Sequence, residues 1–149
     1  MLNYKDLRIG NFILANDLLQ VVSAISSGRS EEQEEPLIGF FKDQKLIYLS
    51  ADSEMLQPIP INDDILKRCG FRFDSYFKLW QKMKKVLGTG VDMELSREYS
   101  ALDFSHRPIL KELEHLHQLQ NLYYTLKRKE LVVNLITNQA LSSQEVMVE

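Results

Sequence analysis

Chemistry in this chain rests on three histidines, one cysteine and a run of polar residues late in the sequence. Glu114, His117, Asn121 and Tyr124 follow one another at spacings of three and four, which on a helix puts them on one flank. There Glu114 would orient the His117 imidazole as a general base, and Asn121 or Tyr124 would stabilise an oxyanion. The same residues suit a second role. Polar groups bordering a core must be hydrogen-bonded, and the backbone of a neighbouring loop or strap would satisfy these. The structural role outweighs the catalytic one, because no nucleophile motif, zinc motif or phosphate loop accompanies the set. No residue is therefore assigned as catalytic, with His117, Glu114 and Asn121 the positions that test this.

The other reactive groups point the same way. His115-Leu116-His117 would aim two imidazoles to one side of a strand. On a helix two residues turn about 200°, which separates them. A helix is expected here, so no metal site is assigned. Cys69 is the only cysteine, which excludes an internal disulfide and a thiolate cluster within the chain. It reads as a small buried apolar residue. Gly88-Thr89-Gly90 lacks the Lys-Ser/Thr of a phosphate-binding loop, and no cofactor is expected.

Charge suggests a different kind of site. Eighteen basic and twenty-one acidic side chains give a net charge of −3, which by itself names no partner. Between Ile65 and Gly90, however, seven cations face only Asp74, a net of +6 that leaves −9 on the rest. Arg72, Lys78, Lys82, Lys84 and Lys85 are interleaved there with Tyr76 and Trp80. Lysines neutralise phosphates and aromatic rings stack on bases. The competing role is a solvated hairpin whose lysines discourage edge pairing. A third class is protein contact or self-association, with Trp80, Tyr99, Tyr123 and Tyr124 as anchors. The binding candidates are Arg72, Lys78, Trp80, Lys82, Lys84, Lys85 and Tyr124.

These residues need a scaffold, and the chain is long enough to build one. Its 149 residues, 44% hydrophobic and 26% charged, predict a single globular domain spanning 1–149. A β-rich part over 1–57, an α+β part over 58–137 and a frayed tail over 138–149 divide it. Asp6 interrupts the first residues, which argues against a signal peptide. No apolar run approaches a bilayer span. A cytoplasmic protein with no membrane partner is the expectation.

Residues 11–15 and 18–25 flank Asn16-Asp17, a turn signal between apolar runs. An acidic loop follows up to Pro36, read as a solvated surface. Leu37–Phe41 and Leu46–Leu49 predict a second hairpin, buried on both faces. Gln57–Ile61 must be extended, because each proline restricts its predecessor. Asn62 caps a short helix with Asp63-Asp64 in its first turn and Gly70 at its end. Alternation over 71–80 predicts a strand broken at Ser75-Tyr76, with further strands at 91–95, 99–104 and 131–136. Ile109, Leu113, Leu116, Leu119, Tyr123 and Leu126 predict a long helix over 108–128.

Four segments, Leu7-Arg8-Ile9-Gly10-Asn11, Pro58-Ile59-Pro60-Ile61, Cys69-Gly70-Phe71 and His117-Gln118-Leu119-Gln120-Asn121-Leu122-Tyr123, occur in this order. Together they resemble a family of small bacterial and prophage-borne proteins with no established activity. The resemblance implies an intracellular protein and, through its prophage-borne members, a link to mobile elements. One departure is Arg128, which stands where the family pattern has glycine after the late helix. A left-handed cap costs more without glycine.

The fold expected is therefore α+β. It comprises an N-terminal SH3-like small β-barrel or hairpin sheet, a short helix, and a second antiparallel sheet unit packed by one long C-terminal helix. The function expected is that of a non-enzymatic binding or accessory protein. A nucleic-acid accessory role through hairpin 72–85, or a small enzyme using His117, are the alternatives.

Overall fold

The computed structural model describes residues 2–26, 35–84, 90–103 and 105–141. Lys85, Gly88-Thr89, most of the acidic loop, Phe104 and the tail beyond 141 lie outside them. The fold is α+β, and the described residues form three small antiparallel sheets and two α-helices.

The first hairpin joins β1 (Phe12–Ala15) to β2 (Leu18–Val21). Asn16 and Asp17 both take positive φ, the conformation whose twist suits a two-residue hairpin turn. After β2 the chain changes sheets. The Val22 amide donates to Asn11 in the first sheet, and the Ser23 amide donates to Gly39 in the second. There β3 (Ala24–Ser26) pairs with β4 (Leu37–Lys42), which pairs with β5 (Lys45–Ser50). The short β6 (Leu56–Gln57) returns to β1. The two sheets do not close into a barrel.

The second hairpin is buried on one face only. Ile38 and Phe40 point into the core, whereas Phe41, Leu46 and Tyr48 are exposed on the other side. The run of apolar residues thus hides an alternation, because nothing among the described residues covers the outer face.

The Pro58–Ile61 strap is extended and bonds the start of the late helix: Ile61 N donates to Glu114, and Leu116 N donates to Ile59. Asn62 then caps α1 (Asp63–Arg68), its Oδ1 accepting from Ile65 N at 2.8 Å. Gly70 ends the helix at φ +87°, a conformation glycine adopts without a Cβ clash. The third sheet comprises β7 (Phe71–Asp74), β8 (Leu79–Met83) and β9 (Val91–Ser96). The break at Ser75-Tyr76 is therefore a hairpin turn between two strands.

The late helix α2 spans Leu116–Lys127, twelve residues rather than the twenty-one expected. Residues 109–113 are committed elsewhere: Ile109 N donates to Ala101 and Leu113 N to Tyr99. His115 is extended (φ −132°, ψ 151°) and sets the start. Leu116, Leu119 and Tyr123 pack in the core, while Ile109 and Leu126 at the ends of the predicted stripe are exposed. Each buried leucine stabilises by about 2 kcal/mol. Arg128 does take the left-handed conformation at the helix end (φ 56°, ψ 30°), and its amide donates to Tyr124.

Two expected strands are not ladders. Among the described residues of 99–104, Ala101 and Leu102 form single bridges. Over 131–136 the alternation is present, with Leu131, Val133 and Leu135 turned to the core and Val132 and Ile136 exposed. The segment is not itself a strand of any sheet among the described residues, and the Asn134 amide donates to the Arg68 carbonyl. The first residues of the expected frayed tail are docked: Leu19 N donates to Gln139, and Asn138 N donates to Leu19.

Candidate functional site

The helical flank that suggested catalysis is tied to the N-terminal loop. Asn121 Oδ1 accepts from Asn11 Nδ2 at 2.8 Å and from Arg8 Nε at 3.2 Å, and its Nδ2 donates to the Asp6 carbonyl at 2.7 Å. Gln120, fully buried, accepts from Phe12 N at 2.9 Å and donates to the Gly10 carbonyl at 3.2 Å. Asn11 closes the loop on itself, its Oδ1 accepting from Arg8 N at 2.7 Å. Two segments more than a hundred residues apart thus satisfy each other's polar groups.

His117 lies beside this clasp, 3% exposed. Its Nδ1 has no hydrogen-bond partner, and its ring stacks on His115 with centroids 5.6 Å apart and planes 9° from parallel. The expectation that the two imidazoles diverge is corrected here. His115 precedes the helix with extended dihedrals, which turns its ring back over His117. Parallel stacked rings keep their in-plane nitrogens from converging on one ion, and no metal-binding cluster occurs among the described residues. Burial, then the neighbouring His115, push the His117 imidazole down to about 4, against a smaller upward pull from Asp6.

Glu114 does not orient His117. It precedes the helix, its side chain is exposed, and its amide donates to Gln118 Oε1 at 2.8 Å. The same oxygen accepts from His115 N at 3.0 Å. Gln118 thereby satisfies two amides at the start of α2, where helix geometry leaves donors unpaired. Glu114, His117 and Asn121 are thus not assembled as acid, base and stabiliser. Cys69 is buried, and burial raises its thiol to about 12, far from a reactive thiolate.

The basic-hairpin candidates scatter. In the β7–β8–β9 register Trp80 sits between Phe73 and Leu95, 3% exposed, so its ring is closed to a base. Arg72 pairs with Gln81 on the opposite face. Lys78 stands in the tight turn before β8 with φ 56°. Tyr124 lies on α2 with the Arg8 guanidinium 4.3 Å above its ring. Lys82 shares the core-facing row with Phe71 and Met93, and its ammonium donates to the Cys69 carbonyl at 3.0 Å.

At the far end of β8 two candidates converge on one concavity. Lys82, Met83, Lys84, Asp92, Tyr123, Lys129, Glu130 and Val132 line a cleft of about 350 Å³. Its charged floor is Asp92, which accepts a hydrogen bond from the Tyr123 hydroxyl. Lys127 Nζ lies 3.5 Å and Lys129 Nζ 4.0 Å from the same carboxylate. Burial alone would raise the Asp92 carboxyl, but the Tyr123 hydroxyl and the two lysines hold it below its ordinary value. Glu130 is paired with Arg8. Among the described residues no carboxylate pairs with Lys84.

Lys127, Lys129 and Asp92 were missing from the sequence candidates, and Tyr123 entered only as an anchor for protein contact. The signal was present in Lys127-Arg128-Lys129, which extends the basic segment only once the chain is folded. Comparison with family models, with curated proteins and with solved structures finds no match for this chain.

Proposed function

We propose that this chain is a non-enzymatic intracellular binding or accessory protein. The observation that carries the reading is the clasp. The polar side chains able to do chemistry at α2 are spent on the backbone of residues 6–12, and His117 is sealed in the interior with a weakly basic ring. A general base needs contact with the proton it removes. The ordered likeness to small bacterial and prophage-borne proteins supports the same reading, since the clasp joins two of its recurring segments. Residues 11–57 are read further as an SH3-like open barrel. Two features support this: β2 and β3 act as one bent strand shared by both sheets, and β6 returns to β1. Backbone NOEs across Val22-Ser23 to both Asn11 and Gly39 check the shared strand.

Among ligands, a nucleic acid is favoured by the cationic cleft at the end of β8. Fluorescence anisotropy of labelled single- and double-stranded DNA and RNA tests this. Four neutralised phosphates give a salt slope of about −3.6, or about 150-fold weaker binding between roughly 50 and 200 mM salt. Absence of binding at low salt removes the nucleic-acid reading. A second reading, protein contact or self-association, is favoured by the apolar outer face of β4 and β5, where Phe41, Leu46 and Tyr48 lie exposed. Sedimentation velocity of wild type against Phe41→Ser checks it. A concentration-dependent dimer lost in the variant supports that reading.

A further inference from the structure

We infer that the cleft between the end of β8 and residues 127–132 is a nucleoside-phosphate site, in which Lys84 and Lys129 hold the phosphate and Met83 and Val132 cover the base. This deepens the nucleic-acid reading by naming the site, and it rests on that reading only for the source of the ligand.

Charge balance is the first support. Among the described residues the cleft and its margin gather Lys84, Lys127 and Lys129 around two carboxylates. Glu130 is taken by Arg8, and Asp92 is shared among the Tyr123 hydroxyl, Lys127 and Lys129. Lysine ammoniums crowded together repel unless an anion joins them, and the protein supplies Lys84 with none among the described residues. The Lys129 ammonium, at 4.0 Å from Asp92 and on an exposed side chain, is free to turn outward. A phosphate offers several acceptor oxygens to both, as charge-assisted hydrogen bonds.

The second support is the apolar wall. Met83 and Val132 are exposed beside these cations, at 47% and 60%. Small-ligand sites combine apolar walls with a few convergent polar groups, and a base has an apolar face that such side chains cover. About 350 Å³ suits a single nucleoside phosphate. An inorganic anion leaves the wall uncovered.

The Asp92–Tyr123 pair positions the site. It joins the helix end to β9, beside the place where Lys129 and Lys84 line the same cleft. Asp92 touches no ligand in this arrangement.

The test titrates full-length protein with a labelled single-stranded oligonucleotide and, separately, with a nucleoside monophosphate and with pyrophosphate. The double variant K84A/K129A is compared with K42A/K45A, which removes the same charge at the β4–β5 turn, and with K84R/K129R. Thermal melts establish that each variant folds. The expected result is oligonucleotide and nucleotide binding at least 10-fold weaker in K84A/K129A, unchanged in K42A/K45A and retained in K84R/K129R. Oligonucleotide binding equally weakened by both alanine pairs overturns the cleft and leaves the nucleic-acid reading standing. Nucleotide binding lost in K84A/K129A, without any oligonucleotide binding, supports the cleft and removes the nucleic-acid reading. Pyrophosphate bound as tightly as the nucleotide overturns the role of the apolar wall. No binding of any probe overturns both.

Discussion

The clasp and the cleft are both polar clusters at α2, and they differ in how their groups are satisfied. In the clasp every named amide group meets a partner inside the chain, often a backbone atom of residues 6–12. In the cleft, among the described residues, no carboxylate meets Lys84, while Lys127 and Lys129 share Asp92. A polar cluster that closes on itself holds a fold together. One that ends with unmatched charge facing solvent is prepared for something else. Polar residue types alone do not separate the two cases, whereas the partner of each atom does.

The largest effect expected is on the clasp. Gln120→Ala leaves the Gly10 carbonyl and the Phe12 amide without their side-chain partners and opens a void. It should cost about 3 kcal/mol, from two lost bonds at about 1–2 kcal/mol each. At 2–4 °C per kcal/mol that is roughly 6–12 °C in Tm. Calorimetry checks the loss, and nucleotide affinity at a temperature where the variant is folded should not move. A stable variant with weakened binding would exchange the roles of clasp and cleft.

The second effect concerns pH. The folded His117 titrates near 4, below the ordinary value of about 6.5. The unfolded chain therefore takes up this proton first. His117 costs the fold nothing above about pH 6.5, and stability falls as pH drops from there towards 4. The full loss is about 3 kcal/mol at 1.36 kcal/mol per unit. Asp92 and Glu130 are held below their ordinary values, so their contributions fade mainly at lower pH. Urea unfolding at pH 7 and pH 4.5 should show the difference in wild type and a much smaller one in His117→Gln. Equal slopes in the two proteins would mean that His117 is not the sealed neutral ring described.

Tyr123→Phe tests the floor of the cleft. It removes the hydroxyl that donates to Asp92 and leaves a buried carboxylate short of a donor. The cost should be about 2 kcal/mol in urea unfolding. Because the pair positions Lys129, nucleotide binding should weaken as well, and unchanged binding would limit the pair to a structural role. The smallest effect belongs to the exposed Arg8–Glu130 pair. Its side chains are 29% and 51% exposed, and solvent screening keeps such pairs below about 1 kcal/mol. Glu130→Gln should shift the urea midpoint only slightly, and a large shift would move this pair into the clasp.

Much of the scaffold was legible because its signals are local. The Asn16-Asp17 turn, the Asn62 cap and the Gly70 stop depend on one or two residues and their neighbours, and each occurs as expected. The length of α2 was not legible. Ile109 and Leu113 keep helical spacing, but their amides are drawn to Ala101 and Tyr99, a tertiary preference that periodicity does not record. The same holds for 131–136, where an alternating pattern joins none of the three sheets formed by the described residues. At the candidate sites, the structural role of Asn121 followed from the need to pair buried polar groups. The scatter of the basic residues did not, because strand register decides which lysine faces which side. Lys82 and Arg72 are ten residues apart and end on opposite faces.

The clasp also has a consequence in time. Gln120 meets Phe12 across 108 residues, Asn121 meets Asp6 across 115, and Gln20 meets Asn138 across 118. The first hairpin forms from neighbours, yet the polar loop that leads into it stays solvated until α2 arrives. Contacts of such sequence separation slow folding. During synthesis residues 6–12 must therefore wait, with their loop held by water, for a helix made more than a hundred residues later.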